Sequence, residues 1–180
     1  MFPNLSADIQ RYISDPQDRR NLYLFFEQGI WAIVVYRFGQ WTHAFKISVI
    51  SIILRIIAFF LFKMTEILTG ISIPASAKIG KGLYVGHFGS IILHSQVVIG
   101  ENCSLGPGIV IGTRGLGSKG VPIIGDHVYV GTGAKILGGI RIGNHVRVGA
   151  NAVVLQDIPD HCTVVGVPGR IIKHANDCIC

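Results

Sequence analysis

The chain has 180 residues, of which 49% are hydrophobic and 14% charged, and its formal charge is +6. That length holds one compact domain plus a smaller element, and the hydrophobic share calls for a large buried surface that extends to subunit interfaces. The positive charge comes without a dense Lys/Arg run or a nucleic-acid motif, so it reads as a general attraction to anions such as a phosphate-bearing cofactor, and no nucleic-acid partner is expected.

Residues 1–69 read as an α-helical N-terminal domain. Met1 to Arg20 is polar and mixed in charge, which is unlike a signal peptide. Asn4 or Ser6 suits a first N-cap, and Asp15-Pro16 suits the opening of another helix, with Pro in its first turn. Helices are predicted over about Asn21–Phe45 and about Ile47–Leu68, the latter stopping before Gly70. Ile47 to Phe62 is apolar except for Ser48, Ser51 and Arg55. It is short for a membrane span, and Arg55 would sit near mid-bilayer. Two readings stay open: a helix buried on all sides, partly against sister subunits, or one resting on a membrane surface with Lys46, Arg55 and Lys63 toward anionic headgroups.

From Ile79 onward the chain counts in sixes. An aliphatic residue opens a hexapeptide at Ile79 and Val85, then at Leu93, Ile99, Leu105 and Ile111, then from Ile124 through Val130, Ile136, Ile142 and Val148 to Val154. Gly follows most openers, and small or branched residues such as Ala134, Val146 and Ala152 stand four places after one. A sustained period is the mark of a solenoid, and this grammar predicts a three-sided parallel β-helix of roughly four coils. Openers stack into an apolar column, and Gly relieves crowding at corners.

Two breaks interrupt the count. Val85 to Leu93 is a step of eight and contains His87; Ile111 to Ile124 is a step of thirteen and contains Thr113-Arg114-Gly115-Leu116-Gly117-Ser118-Lys119-Gly120. The second reads as an extended loop, 113–120, and loops thrown from a rigid scaffold tend to carry function. Cys103, Cys162, Cys178 and Cys180 have neither zinc-type spacing nor a disulfide framework and read as reduced thiols.

The run Gly70-Ile-Ser-Ile-Pro-Ala-Ser-Ala-Lys-Ile-Gly-Lys-Gly-Leu followed by Val85-Gly-His-Phe, then Gly131-Thr-Gly-Ala-Lys-Ile-Leu-Gly, Val148-Gly-Ala-Asn-Ala-Val-Val and Gly166-Val-Pro-Gly-Arg-Ile-Ile, resembles the serine acetyltransferases and their hexapeptide relatives. The resemblance implies a left-handed β-helix over 70–165 and a tail over 166–180. It also implies homotrimers with acetyl-CoA bound between subunits, and a His base that lets an acceptor hydroxyl attack the thioester. His87 aligns with that catalytic His, and imidazole as a class suits general base work near neutral pH. Gly112, Gly131, Gly133 and Ala134, with Lys135, match the cofactor groove. Gly166, Pro168, Arg170 and Lys173 follow the last coil, where Arg170 and Lys173 are candidates for CoA phosphates. Arg114 and Lys119, in the loop, are further candidates for the CoA phosphates and are grouped with His94 as substrate-binding residues.

Two positions depart from the family pattern. Gly86 replaces the Asp before the catalytic His, and Val121 replaces the His before Pro122. The loss of these polar groups weakens recognition of a small zwitterion. The expectation drawn from this is an acetyl-CoA-dependent O-acetyltransferase acting on a sugar hydroxyl of a bacterial surface polysaccharide. His94 would be a substitute polar group, and the enzyme would be cytoplasmic or peripheral at the inner face of the membrane. The alternative is serine O-acetylation of cysteine biosynthesis. An amino-sugar N-acetyltransferase and a non-catalytic scaffold are further rivals. A metal-dependent enzyme of this shape needs three converging His, and His87, His94, His127 and His145 lack that spacing, so no metal is expected.

Overall fold

The hexapeptide openers become the core of a solenoid. The structure, a computed structural model, describes residues 3–13, 26–44, 49–115, 117 and 120–172. The described residues form fifteen short strands, and β1 to β13 visit three sheets in rotation. The first sheet holds β1 (Ile71–Ser72), β4 (Ile91–Leu93), β7 (Val110–Gly112), β10 (Lys135–Leu137) and β13 (Val153–Val154). The second holds β2 (Lys78–Ile79), β5 (Val98–Ile99), β8 (Ile123–Ile124) and β11 (Arg141–Ile142). The third holds β3 (Tyr84–Val85), β6 (Ser104–Leu105), β9 (Tyr129–Val130), β12 (Arg147–Val148), β14 (Thr163–Val165) and β15 (Arg170–Ile172). All pairings are parallel except β14 with β15.

Register stacks like on like. Leu93, Ile111, Ile136 and Val154 form one column. Ile79, Ile99, Ile124 and Ile142 form the second, continued by a bridge to Ile158. Val85, Leu105, Val130, Val148 and Val164 form the third. Each is buried, because alternation along a strand turns one residue of every pair inward. One corner carries Asn102, His127, His145 and His161, all with φ between 55° and 59°. The three imidazoles there stack with ring centroids 4.7 and 4.8 Å apart.

A solenoid has open ends, and an uncovered strand edge costs unpaired backbone groups. The helices close the first end with side chains. In α1 (Pro3–Gln10) and α2 (Gln28–His43), Asp8 and Arg37 form a buried ion pair, Arg37 Nε donating to Asp8 Oδ2 at 2.8 Å. Arg37 then donates to the carbonyls of Ile79 and Gly80, and Asp8 accepts the Leu83 amide. Tyr36 donates its hydroxyl to Ala77 O and accepts the Ile79 amide; Tyr12 does the same for both backbone groups of Val85. These side chains stand in for missing strands along β2 and β3. Burial pushes the Tyr36 hydroxyl up to about 12, against the pull of the neighbouring Arg37, and raises Tyr12 further. At the far end, β15 folds back on β14.

The helices differ from expectation in detail. Asn4 and Ser6 lie inside α1 and do not cap it. Asp15-Pro16, Asn21, Phe45, Lys46 and the start at Ile47 lie outside the described residues. The third helix, α3 (Val49–Thr69), stops before Gly70 as predicted, and Gly70 takes a φ of 69° there. Within the chain α3 is not buried on all sides. Ser51, Ala58 and Thr69 are its buried residues, while most of its large aliphatic and aromatic side chains are exposed.

Candidate active site

His87 owes its exposure to the first break in the count. The register pairs Val85 with Leu105 and Ile92 with Val110, so the corner after β3 carries two residues more than the corner after β6. The surplus bulges outward and is fixed at both ends. The Gly86 amide donates to Leu105 O at 3.0 Å and the Gly89 amide to Thr69 O at 2.8 Å, while Gly89 O accepts the Gly108 amide at 3.1 Å. Gly89 (φ 104°) and Ser90 (φ 44°) turn the chain back into β4. His87 and Phe88 lie exposed between these anchors.

Lys135 bears on the same bulge. Its ammonium donates to Gly108 O, and Gly108 is the residue whose amide holds Gly89 O. The chain Lys135–Gly108–Gly89 therefore ties a residue of the third coil to the corner that carries His87. Sequence reasoning placed Lys135 with the cofactor groove and missed this brace, because only the coil-to-coil register brings residue 135 over residue 108.

His94 follows β4 and sits under Gly112 in the next coil; a Cβ on Gly112 would lie 3.5 Å from the His94 Cβ. Its Nδ1 accepts the Gln96 amide at 3.2 Å, which leaves Nε2 as the hydrogen-bearing nitrogen of the neutral ring. The extended loop leaves the coil just after Gly112. Arg114 Nε donates to Leu137 O at 3.3 Å, and its side chain lies across Gly138. Gly120, at the other foot, rests on Gly139. Leu116, Ser118 and Lys119 lie outside the described residues.

The candidate glycines divide by what surrounds them. A side chain at Gly131 would strike the backbone of Val148 and Ala150, and Gly133, with φ 74°, lies on Asn151. The fold alone accounts for both. Gly112 has ordinary space and negative φ, and Gly86 likewise meets nothing closer than 3.5 Å. The chain itself does not demand glycine at these two positions, which flank the candidate site. Ala134 is fully buried. Gly166 has a φ of 91°, and Gly166, Pro168 and Arg170 are exposed around the β14–β15 return. Lys173 lies outside the described residues. A cavity of about 210 Å³ lies between α2, α3 and the 73–76 turn, and no sequence-predicted site residue lines it. Among the described residues no cluster of His, Cys, Asp or Glu could hold a metal ion; His127 and His145 stack along the corner.

This geometry has counterparts in known proteins. A family model described as bacterial transferase hexapeptide (six repeats) matches residues 122–156. The serine acetyltransferase of Synechococcus elongatus is 36% identical over 175 residues, covering 96% of this chain and 69% of that protein. The chain belongs to the serine acetyltransferase family. It is an acyltransferase by that membership. The Staphylococcus aureus serine acetyltransferase is 39% identical over 112 residues, 62% of this chain; the chain spans about half, 53%, of that relative. A solved serine acetyltransferase from Brucella abortus in complex with coenzyme A superposes with a TM-score of 0.81 at 30% identity, over 97% of this chain and 68% of that one. The Neisseria gonorrhoeae enzyme in complex with serine superposes with a TM-score of 0.75 at 32% identity, over 93% of this chain and 67% of that one.

These matches overturn the expectation of a polysaccharide sugar as acceptor. That expectation weighed two missing side chains, at Gly86 and Val121, above similarity along almost the whole chain. The β-helix and the braced bulge that carries His87 are present without either side chain.

Proposed function

We propose that the protein is an acetyl-CoA-dependent serine O-acetyltransferase, built as a left-handed β-helix and working as a homotrimer in the cytoplasm. The observation that carries the reading is the exposed His87 in its braced corner bulge. It stands where the family has its catalytic His, in a chain similar to a serine acetyltransferase over 96% of its length. His87 accepts the proton of the serine hydroxyl as that oxygen attacks the thioester carbonyl of acetyl-CoA. The tetrahedral intermediate then expels the CoA thiolate, which takes the proton back from the imidazolium. The acetyl group moves from sulfur to oxygen with no change of oxidation state.

The acceptor site uses other groups than the family's Asp and second His. His94 presents its Nε2 hydrogen, and Arg114, with Lys119 in the same loop, supplies positive charge for the serine carboxylate. Gly112 gives the pantetheine arm room, continued past the half-buried Gly133, while the buried Gly131 and Ala134 serve the coil beneath and do not face the arm. Arg170 and Lys173 meet the phosphates beside Gly166 and Pro168. Lys135 acts as a positioning residue through Gly108. A neighbouring copy completes the groove, which is why a trimer is required.

The test is serine-dependent release of CoA from acetyl-CoA by wild type and His87→Ala. The reading predicts turnover with L-serine and a loss of about 10²–10⁴-fold in the variant. Absence of serine-dependent release by wild type, or equal rates in the two proteins, overturns it.

A further inference from the structure

The chain distributes the residues of α3 against the usual rule for a helix on a protein surface. The stripe facing the rest of the protein is mostly small or polar: Ser51, Arg55, Ala58, Thr65 and Thr69, with Leu54 and Phe62 among them, recur at helical spacing and are buried or half-buried. The opposite side is large and apolar. Val49, Ile53, Phe60 and Ile67 lie along its centre and are 74%, 52%, 63% and 76% exposed. At 3.6 residues per turn, the exposed apolar arc runs from Phe59 at one margin to Leu61 at the other, about 200° of the helix circumference. Over 21 residues it extends about 31 Å at 1.5 Å per residue.

The width of the arc identifies what covers it. A partner helix buries a stripe of roughly 100°, and a second copy meeting α3 along one seam would leave half the arc in water. A fluid apolar phase wets the whole half-cylinder. Half of a helix about 10 Å across is about 5 Å, the depth at which interfacial helices rest in the headgroup–acyl boundary. Charge agrees. The chain carries +6, and Lys63, with its side chain 48% exposed, lies within the arc toward its Phe59 margin, where a long side chain can carry its ammonium up to the headgroups. Glu66, the sole carboxylate of the helix, pairs with Lys63 at 2.6 Å, and the Lys63 hydrogen bond holds it below the usual carboxylate range. No described helix is long and apolar enough to cross a membrane, and on α3 the charges of Arg55, Lys63 and Glu66 prevent it.

We infer that α3 docks the protein on the surface of an anionic lipid bilayer, its outward half-cylinder among the acyl chains and its polar stripe against α2. The attachment is independent of the acetyl-transfer reading, and it holds the coil beside the membrane without threading the chain through it.

The experiment is co-sedimentation of the full chain with phosphatidylglycerol/phosphatidylcholine vesicles and with phosphatidylcholine vesicles alone. Wild type pellets with the anionic vesicles and more weakly with the neutral ones. Ile53→Glu/Phe60→Glu/Ile67→Glu, changed only at exposed positions, binds about tenfold less or weaker still, and it keeps the wild-type assembly mass by light scattering and the wild-type rate of CoA release. Phe60→Ser gives an intermediate loss. Wild type remaining in the supernatant with both vesicle types overturns the inference. So does a variant whose assembly mass falls while vesicle binding is unchanged, because sister copies would then cover α3.

Discussion

The coil and α3 use the same aliphatic residues in opposite directions. In the coil Val85, Ile111, Ile136 and Val154 are at most 1% exposed; Ile111 and Ile136 are packed between equivalent positions of the coils above and below, and Val85 and Val154 against one neighbouring coil. In α3 residues such as Ile50, Ile53 and Ile56 are 71%, 52% and 51% exposed, and the inward positions go to Ser51, Ala58 and Thr69. The lesson is that hydrophobicity states only that a residue leaves water. Periodicity states where it goes, and only when the phase relative to the rest of the protein is known. In the coil the phase follows from stacking. In α3 it follows from where α2 lies, which a single sequence does not announce.

The contrast can be broken most severely at the junction between the two regions. Asp8→Ala leaves the buried Arg37 guanidinium without its carboxylate and the Leu83 amide without its acceptor. Urea denaturation should show a loss of about 3–5 kcal/mol, and a loss under 1 kcal/mol would mean that the cap does not hold the first coil. Inside the coil, Ile136→Ala opens a cavity between Ile111 and Val154 and should cost about 2–5 kcal/mol in the same assay.

Alkaline pH probes the cap without a mutation. The folded-state pKa of Tyr36 lies near 12, above its ordinary 10.0. Its contribution to stability is therefore complete below pH 10 and is lost as the pH rises toward 12, because the unfolded chain releases the proton first. A rise from 10.0 to about 12 corresponds to about 3 kcal/mol. Melting curves at rising pH should fall steeply in that window for wild type, and less steeply for Tyr36→Phe measured from its own lower baseline. Cys103, pushed up to about 11 by burial, adds to the same trend.

A finer division lies on the coil's outer surface, where some corners serve the fold and others serve the reaction. His94→Ala should raise KM for serine about tenfold, about 1.4 kcal/mol, with little change in kcat or stability. An unchanged KM would remove His94 from the acceptor site. The smallest effect belongs to α3: Phe60→Ser should change stability by no more than about 0.5 kcal/mol, as at an exposed position. A loss of 2 kcal/mol would mean that the residue is packed and the contrast false.

Much of this was legible in the sequence. Every predicted opener from Ile79 to Val154 lines the core, and both breaks in the count became excursions from the coil, because a fixed period leaves little freedom of register. The cap was not legible. Asp8, Tyr12, Tyr36 and Arg37 belong to helices whose pattern says nothing of the strand edge they serve, although a Tyr36-Arg37 pair inside an apolar helix was a signal for a polar task. The Lys135 brace was hidden for the same reason, since it exists only across coils. Gly86 and Val121 mislead about the acceptor, because an absent side chain is not an absent substrate.

The most direct test of the account is identification of the product formed from acetyl-labelled acetyl-CoA and L-serine by mass spectrometry. The account predicts labelled O-acetylserine from wild type and almost none from His87→Ala. Labelled acetate alone, or labelled O-acetylserine in equal yield from both proteins, would contradict it.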